Sequence, residues 1–92
     1  MNAVWSDAAK KQFWKVVDYL YENWTEREVL DFTQKTYSLI DRVLENNELC
    51  PKSKIIDLRK CLIDKNNSLV YSFQNEIIYI IAIIDNRSAH GY

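Results

Sequence analysis

At 92 residues and 11.0 kDa the chain has room for one small domain, and residues 1–92 are read here as one. Its 48% hydrophobic content, with one Gly and one Pro, excludes a disordered, collagenous or linker segment, since such chains lack the apolar surface to offset ordering entropy. A formal charge of −1 argues against holding nucleic acid by bulk electrostatics, but it hides an asymmetry: residues 1–48 carry 6 basic and 9 acidic side chains (−3), and residues 49–92 carry 6 and 4 (+2). An anionic partner is therefore expected on the second half.

In chain order, Ala3-Val4-Trp5 is short, apolar and suited to a strand. Ser6 follows as an N-cap, with Asp7 placed favourably in the first helical turn. Ala9, Phe13, Val16, Val17, Leu20 and Trp24 recur at helical spacing and predict a buried stripe on a helix from about Asp7 to about Glu22. Thr25-Glu26-Arg27-Glu28 is a capping box, flanked by Trp24 and Val29 at the positions of a hydrophobic staple. The helix it opens keeps its period through Val29, Phe32, Thr36, Leu39, Ile40 and Val43 to about Glu45. With so short a connection, the two helices must form an antiparallel hairpin.

After Pro51 the pattern changes to strand-forming runs at Ile55–Ile63, Ser68–Phe73 and Ile77–Ile84. Asp64-Lys65-Asn66-Asn67 and Gln74-Asn75-Glu76 separate them, and Asn and Asp tolerate the left-handed backbone of tight turns. The last run does not alternate, so it is expected to be covered on both faces. The order is β-α-α-β-β-β. The class is α+β, an antiparallel helix hairpin on a small, mostly antiparallel sheet.

The start, Met1 to Trp5, has no basic segment or long apolar run, and Ile77 to Ile84 is far short of the ~20 residues of a membrane helix, so a cytoplasmic chain with no membrane partner is expected. Cys50 and Cys61 are expected as free, partly buried thiols in that reducing compartment. With His90 the only histidine and no C-x-x-C, neither a metal site nor another cofactor is implied.

A short strand ending in Trp5-Ser6, then Asp7-Ala8-Ala9, two amphipathic helices, a meander containing Ser68-Leu69-Val70-Tyr71 and a close at Ile83-Ile84-Asp85-Asn86-Arg87 together resemble the RelE/ParE superfamily of bacterial toxins, in particular its plasmid-stabilisation members. The resemblance spans nearly the whole chain. It implies the toxin of a type II toxin–antitoxin pair, inhibiting growth and neutralised in a hetero-oligomer with a cognate antitoxin. One branch binds DNA gyrase; the other cleaves messenger RNA on the ribosome without a metal.

Aligned on Leu69-Val70-Tyr71, the nuclease branch has two basic residues where this chain has Arg59 and Cys61, and an Arg where it has Ser68. Arg87 matches a further Arg, and His90 or Tyr92 stands in for the group that transfers a proton. If the chain is RelE-like, its catalytic residues are Arg59, Arg87, His90 and Tyr92; the missing Arg at Ser68 favours a ParE-like toxin that acts by binding. Lys52, Lys54 and Lys60, beside Arg59, form the densest basic segment and suit an acidic antitoxin. Asp57 and Arg59 are expected to pair on one face of the strand. Trp14 and Tyr21, off the main stripe, form a candidate protein-binding patch, while Trp5, Trp24 and Tyr19 are assigned to packing.

Overall fold

Ser6 is where the chain turns from strand to helix, and three hydrogen bonds fix it there. Its amide donates to the Ile80 carbonyl (2.9 Å), its hydroxyl donates to the Ile81 carbonyl (2.9 Å), and the same oxygen accepts from the Ala9 amide (2.9 Å). The fold, taken from a computed structural model that describes residues 2–92, thus begins with β1 (Asn2–Trp5) and α1 (Asp7–Asn23), with Ser6 as the expected N-cap. The capping box at Thr25 opens α2 (Glu26–Glu45). There follow β2 (Arg59–Leu62), β3 (Asn67–Gln74) and β4 (Ile77–Asp85).

The strands form one sheet in the order β1-β4-β3-β2. β1 runs parallel to β4, and the remaining pairs are antiparallel. The tight β3–β4 turn has positive φ at Asn75 (53°) and Glu76 (61°), the backbone of a type I′ turn. The helix hairpin covers one face of the sheet. Ala9 and Phe13 of α1 and Phe32, Leu39, Ile40 and Val43 of α2 are buried against Leu69, Tyr71, Ile78, Ile80 and Ile83. Phe13 is the hub of the aromatic contacts, with ring centroids 5.4 Å from Trp5, 5.4 Å from Phe32 and 5.6 Å from Trp14. Each such side chain contributes roughly 1.5–3 kcal/mol by leaving water.

β4 is apolar on both faces because its residues do not alternate, and a register slip decides which of them face the helices. Tyr71 pairs with Ile80 but Val70 with Ala82, leaving Ile81 as the extra residue of a bulge. Ile78, Ile80 and Ile83 consequently face the helices, whereas Ala82 and Ile84 join Val70 on the opposite face under Leu58, Ile81 and Tyr92. The expected double coverage is therefore met by the helices on one side and by the chain's own C-terminal segment on the other.

Four expectations are corrected. The run from Ile55 is not a strand up to Arg59: Ile55–Leu58 is a turn, Asp57 has φ 67°, and β2 keeps only Arg59–Leu62. A left-handed Asp57 lies off the strand, so no Asp57–Arg59 pair forms. Cys50 and Cys61 are not free thiols but a disulfide, their Cα atoms 5.2 Å apart. β2 brings Cys61 opposite Leu69 on the helix-facing side, directly over the buried Cys50, a separation well within disulfide range. Trp24 lies outside the buried stripe at 60% exposure, because the backbone is already extended at that residue and has left the helical period.

Replacing Ser6 by Ala removes the cap and also strands the Ile81 carbonyl. A loss of about 1–2 kcal/mol in urea-unfolding free energy is expected, against at most about 1 kcal/mol for Thr25→Ala at the exposed capping box. Equal losses at the two caps would show that the bond to Ile81 adds nothing.

Candidate functional site

Two grooves hold most of the residues singled out from the sequence. The first, about 540 Å³, lies beside β2 and is lined by Glu48, Lys52, Ile55, Ile56, Arg59 and Phe73 among others. Its wall is the segment from Asn47 to Pro51, pinned from three directions. The Tyr71 hydroxyl donates to the Asn47 carbonyl (2.8 Å) and accepts from the Cys50 amide (3.3 Å). Arg59 donates from its guanidinium to the Cys50 carbonyl (2.8 Å). The Lys60 amide donates to the Pro51 carbonyl (3.0 Å), and the disulfide closes the loop. Burial pushes the Tyr71 phenol up from its ordinary value of 10.0, so it stays neutral in its dual donor and acceptor role. Arg59, the retained basic position, is thus engaged with backbone.

The second groove, about 550 Å³, runs between α1 and the segment after β4. Lys15 and Tyr19 face Arg87, His90 and Tyr92 across it. The segment is held by Asn86, whose amide donates to the Asn66 carbonyl (2.8 Å) and whose side-chain oxygen accepts from the Ser68 hydroxyl (2.5 Å). Arg87 grips Asp85 with two side-chain bonds, at 3.0 and 2.9 Å, which hold the Asp85 carboxyl below its ordinary value of 3.8. His90 Nδ1 is buried and has no hydrogen-bond partner among the described residues.

Three of the four candidate catalytic residues, Arg87, His90 and Tyr92, therefore share a groove, while Arg59 belongs to the other. Arg59 pairs with Tyr71 and Asp85 with Asn67, four residues along β3, so the two sites lie roughly 13 Å apart along the strand. Ser68 is fully buried under Asn86, and a longer basic side chain there would have to displace that segment. Of the three lysines only Lys52 lines the Arg59 groove; Lys54 is exposed outside both grooves, and Lys60 pairs with Val70 on the sheet face away from the helices. Trp14 and Tyr21 line neither groove and are 60% and 70% exposed. Among the described residues no three His, Cys, Asp or Glu side chains gather as a metal site, and no helix is long and apolar enough to cross a membrane.

The model of the ParE toxin of the type II toxin–antitoxin system parDE matches residues 3–89. The chain belongs to the ParE toxin family. Like the family's other toxins it is one component of a type II toxin–antitoxin system, within the RelE/ParE superfamily indicated by the sequence. No curated protein sequence matches it. Among solved structures it is similar in fold to the chromosomal ParDE system of P. aeruginosa, with TM-score 0.78 at 15% identity over 92% of this chain and 95% of that one. The YoeB–YefM complex of Staphylococcus aureus gives 0.63 at 19% identity over 90% and 93%. YafQ of E. coli gives 0.62 at 12% identity over 91% of each chain. ParE membership comes from the sequence, and the structural likeness extends it only as fold.

Sequence reasoning missed Tyr71 as the pin of the first groove and Gln12, whose side-chain oxygen accepts from the Ile83 amide (2.9 Å). Both contacts join residues far apart in the chain, and neither leaves a local pattern to read.

Reduction of the disulfide should lower stability by about 2–3 kcal/mol, the entropy of a short closed loop, with Tyr71 and Arg59 still holding the segment. Unfolding midpoints with and without reductant, alongside thiol counting of the unreduced chain, test this; two free thiols before reduction would refute the pairing. At the second groove the depressed Asp85 pKa means that its bond to Arg87 supports the fold above the carboxyl's unfolded value and is lost as pH falls through the lower folded one. In Arg87→Ala, the Asp85 titration followed by NMR should return upward to the ordinary carboxylate range.

Proposed function

We propose that this ParE-family toxin stops growth by binding its target, DNA gyrase, without cutting a substrate itself, and that a cognate antitoxin docks on it and holds it inactive in the cytoplasm. The observation that carries this reading is the commitment of its basic groups. Arg59 is bonded to the Cys50 carbonyl, Arg87 is ion-paired with Asp85, and the position between them is the buried Ser68. A phosphoryl transition state needs positive charge converging on one point, and these two guanidinium groups stand in separate grooves, one paired with a carboxylate and the other holding a backbone carbonyl. An antitoxin partner is supported by the family and by similar structures described as toxin–antitoxin complexes, YoeB–YefM and DinJ–YafQ. Lys52 in the Arg59 groove and the exposed Lys54 two residues on supply positive charge that an acidic antitoxin segment would meet, while Lys60 lies on the other face of the sheet.

A second reading, a ribosome-dependent messenger-RNA endoribonuclease, is favoured by one feature: His90, its buried Nδ1 unpartnered, lines the same groove as Arg87 and Tyr92. Induced expression separates the two. Gyrase binding predicts an SOS response with stalled replication, and toxicity within about threefold of the parent for His90→Gln and Tyr92→Phe; nuclease action predicts rapid translation arrest, and a loss of about 10²-fold or more for the same substitutions. Codon-positioned messenger-RNA cuts without SOS induction would overturn the binding proposal.

A further inference from the structure

The outward face of α1 carries charges that its own helix does not favour. Apart from Asp7 in the first turn, which suits the dipole, its first half presents Lys10, Lys11 and Lys15, and its second half presents Asp18 and Glu22, with no basic residue in the last turn. Cations toward the N-terminus and anions toward the C-terminus oppose the helix macrodipole. Lys11 with Lys15 and Asp18 with Glu22 are, in addition, like-charged neighbours at i, i+4, each pair destabilising by a few tenths of a kcal/mol. None of these five side chains forms an ion pair among the described residues. Between them stand Trp14 and Tyr21, 60% and 70% exposed and two turns apart on the same side of the helix. Trp14 rests one edge against Phe13, but the packing of this chain explains neither its remaining exposure nor the charges, which point away from the core.

A second α1 laid antiparallel across this face satisfies them all. Two-fold symmetry requires a surface that is complementary to itself, and a helix basic in one half and acidic in the other is complementary to its own reversed copy. Reversal sets Lys11 and Lys15 of one copy against Asp18 and Glu22 of the other, twice over. It brings the positive end of each helix dipole to the negative end of its neighbour and covers Trp14 of each copy beside Tyr21 of the other. The spacing of 11, 14, 18 and 21 is the alternating three- and four-residue seam by which helices pack at a small angle. We propose that the α1 face formed by Lys11, Trp14, Lys15, Asp18, Tyr21 and Glu22 is a homodimer interface, closed by antiparallel α1–α1 packing about a two-fold axis. A contact confined to one helix face stays near or below the ~1,200 Å² at the low end of specific interfaces, so the dimer is weak and concentration-dependent.

The test is a charge swap. All four charged positions are exposed, so K11E/K15E and D18K/E22K should keep the parental far-UV circular dichroism. In sedimentation equilibrium of the isolated chain, the parent should rise toward twice the monomer mass with concentration. Its association should weaken severalfold as salt is raised from about 50 to about 500 mM. Each double variant alone should associate at least about tenfold more weakly, and their equimolar mixture should recover to within about threefold of the parent. A third variant, W14S, should weaken association without changing its salt dependence. The proposal is overturned if the parent stays monomeric up to about 1 mM, well above the concentration at which a weak specific interface associates. It is equally overturned if the swapped variants associate like the parent, or if mixing them restores nothing. A monomeric parent whose swapped variants lose antitoxin binding would assign the face to the antitoxin instead.

Discussion

The exposed backbone of β4 beyond the end of β1 is the constraint around which this fold is arranged. β1 pairs with β4 only as far as Ile80, and the bulge at Ile81 then turns successive peptide groups toward an edge with no strand beside it. Buried peptide groups without partners each cost on the order of 1–3 kcal/mol, so something must take β1's place. α1 does so with side chains: Ser6 meets the Ile81 carbonyl and Gln12 the Ile83 amide. These bonds tie the first turns of α1 to the central strand, and thereby set where Phe13 enters the core and where the α1–α2 hairpin lies on the sheet. The bulge also divides the isoleucines of β4 between two apolar clusters, so the same irregularity that needs α1 on one edge creates the surface that Tyr92 covers on the other face.

The opposite edge of the sheet is secured by different means. β2 is only four residues long, and a short edge strand offers little pairing energy of its own. Tyr71, rooted in the centre of the sheet, reaches the preceding segment through its hydroxyl, while Arg59 and the Cys50–Cys61 bond fasten the same few residues from β2. The price of this arrangement is that the basic residue best placed by analogy with a nuclease is spent on holding backbone. Arg87 is likewise held, by Asp85. The two arginines thus serve architecture, one at each groove, and they do not converge on a common point.

Much of this was legible in the residues. The caps at Ser6 and Thr25, both helices to within a residue, the Asn75-Glu76 turn and the α+β class follow from local rules, because capping, helical period and left-handed turn residues act over three or four positions. The failures have equally physical causes. Ile55 and Ile56 look like strand residues, yet the chain turns back there, the Leu58 amide donating to the Ile55 carbonyl (3.2 Å) across a left-handed Asp57, and both sit exposed. Trp24 falls in the helical period on paper but lies where the backbone has already left the helix. Of the candidate site, the residues themselves could be named in advance, but not their division between two grooves, which depends on register along β3.

By itself, then, the order of residues determined the helix hairpin, the three later strands, the acidic and basic halves and the family, all of which are carried by local periodicity or by the succession of elements. The tertiary structure alone decided that Cys50 meets Cys61, that the bulge falls at Ile81, that Tyr71 pins the loop before β2, and that Arg59 and Arg87 are already bonded. Apart from the Arg87–Asp85 pair, two residues apart, those outcomes depend on groups 9 to 24 residues apart, or on which face a strand presents after a one-residue slip. A slip of that kind reverses every side chain beyond it without changing a letter of the sequence.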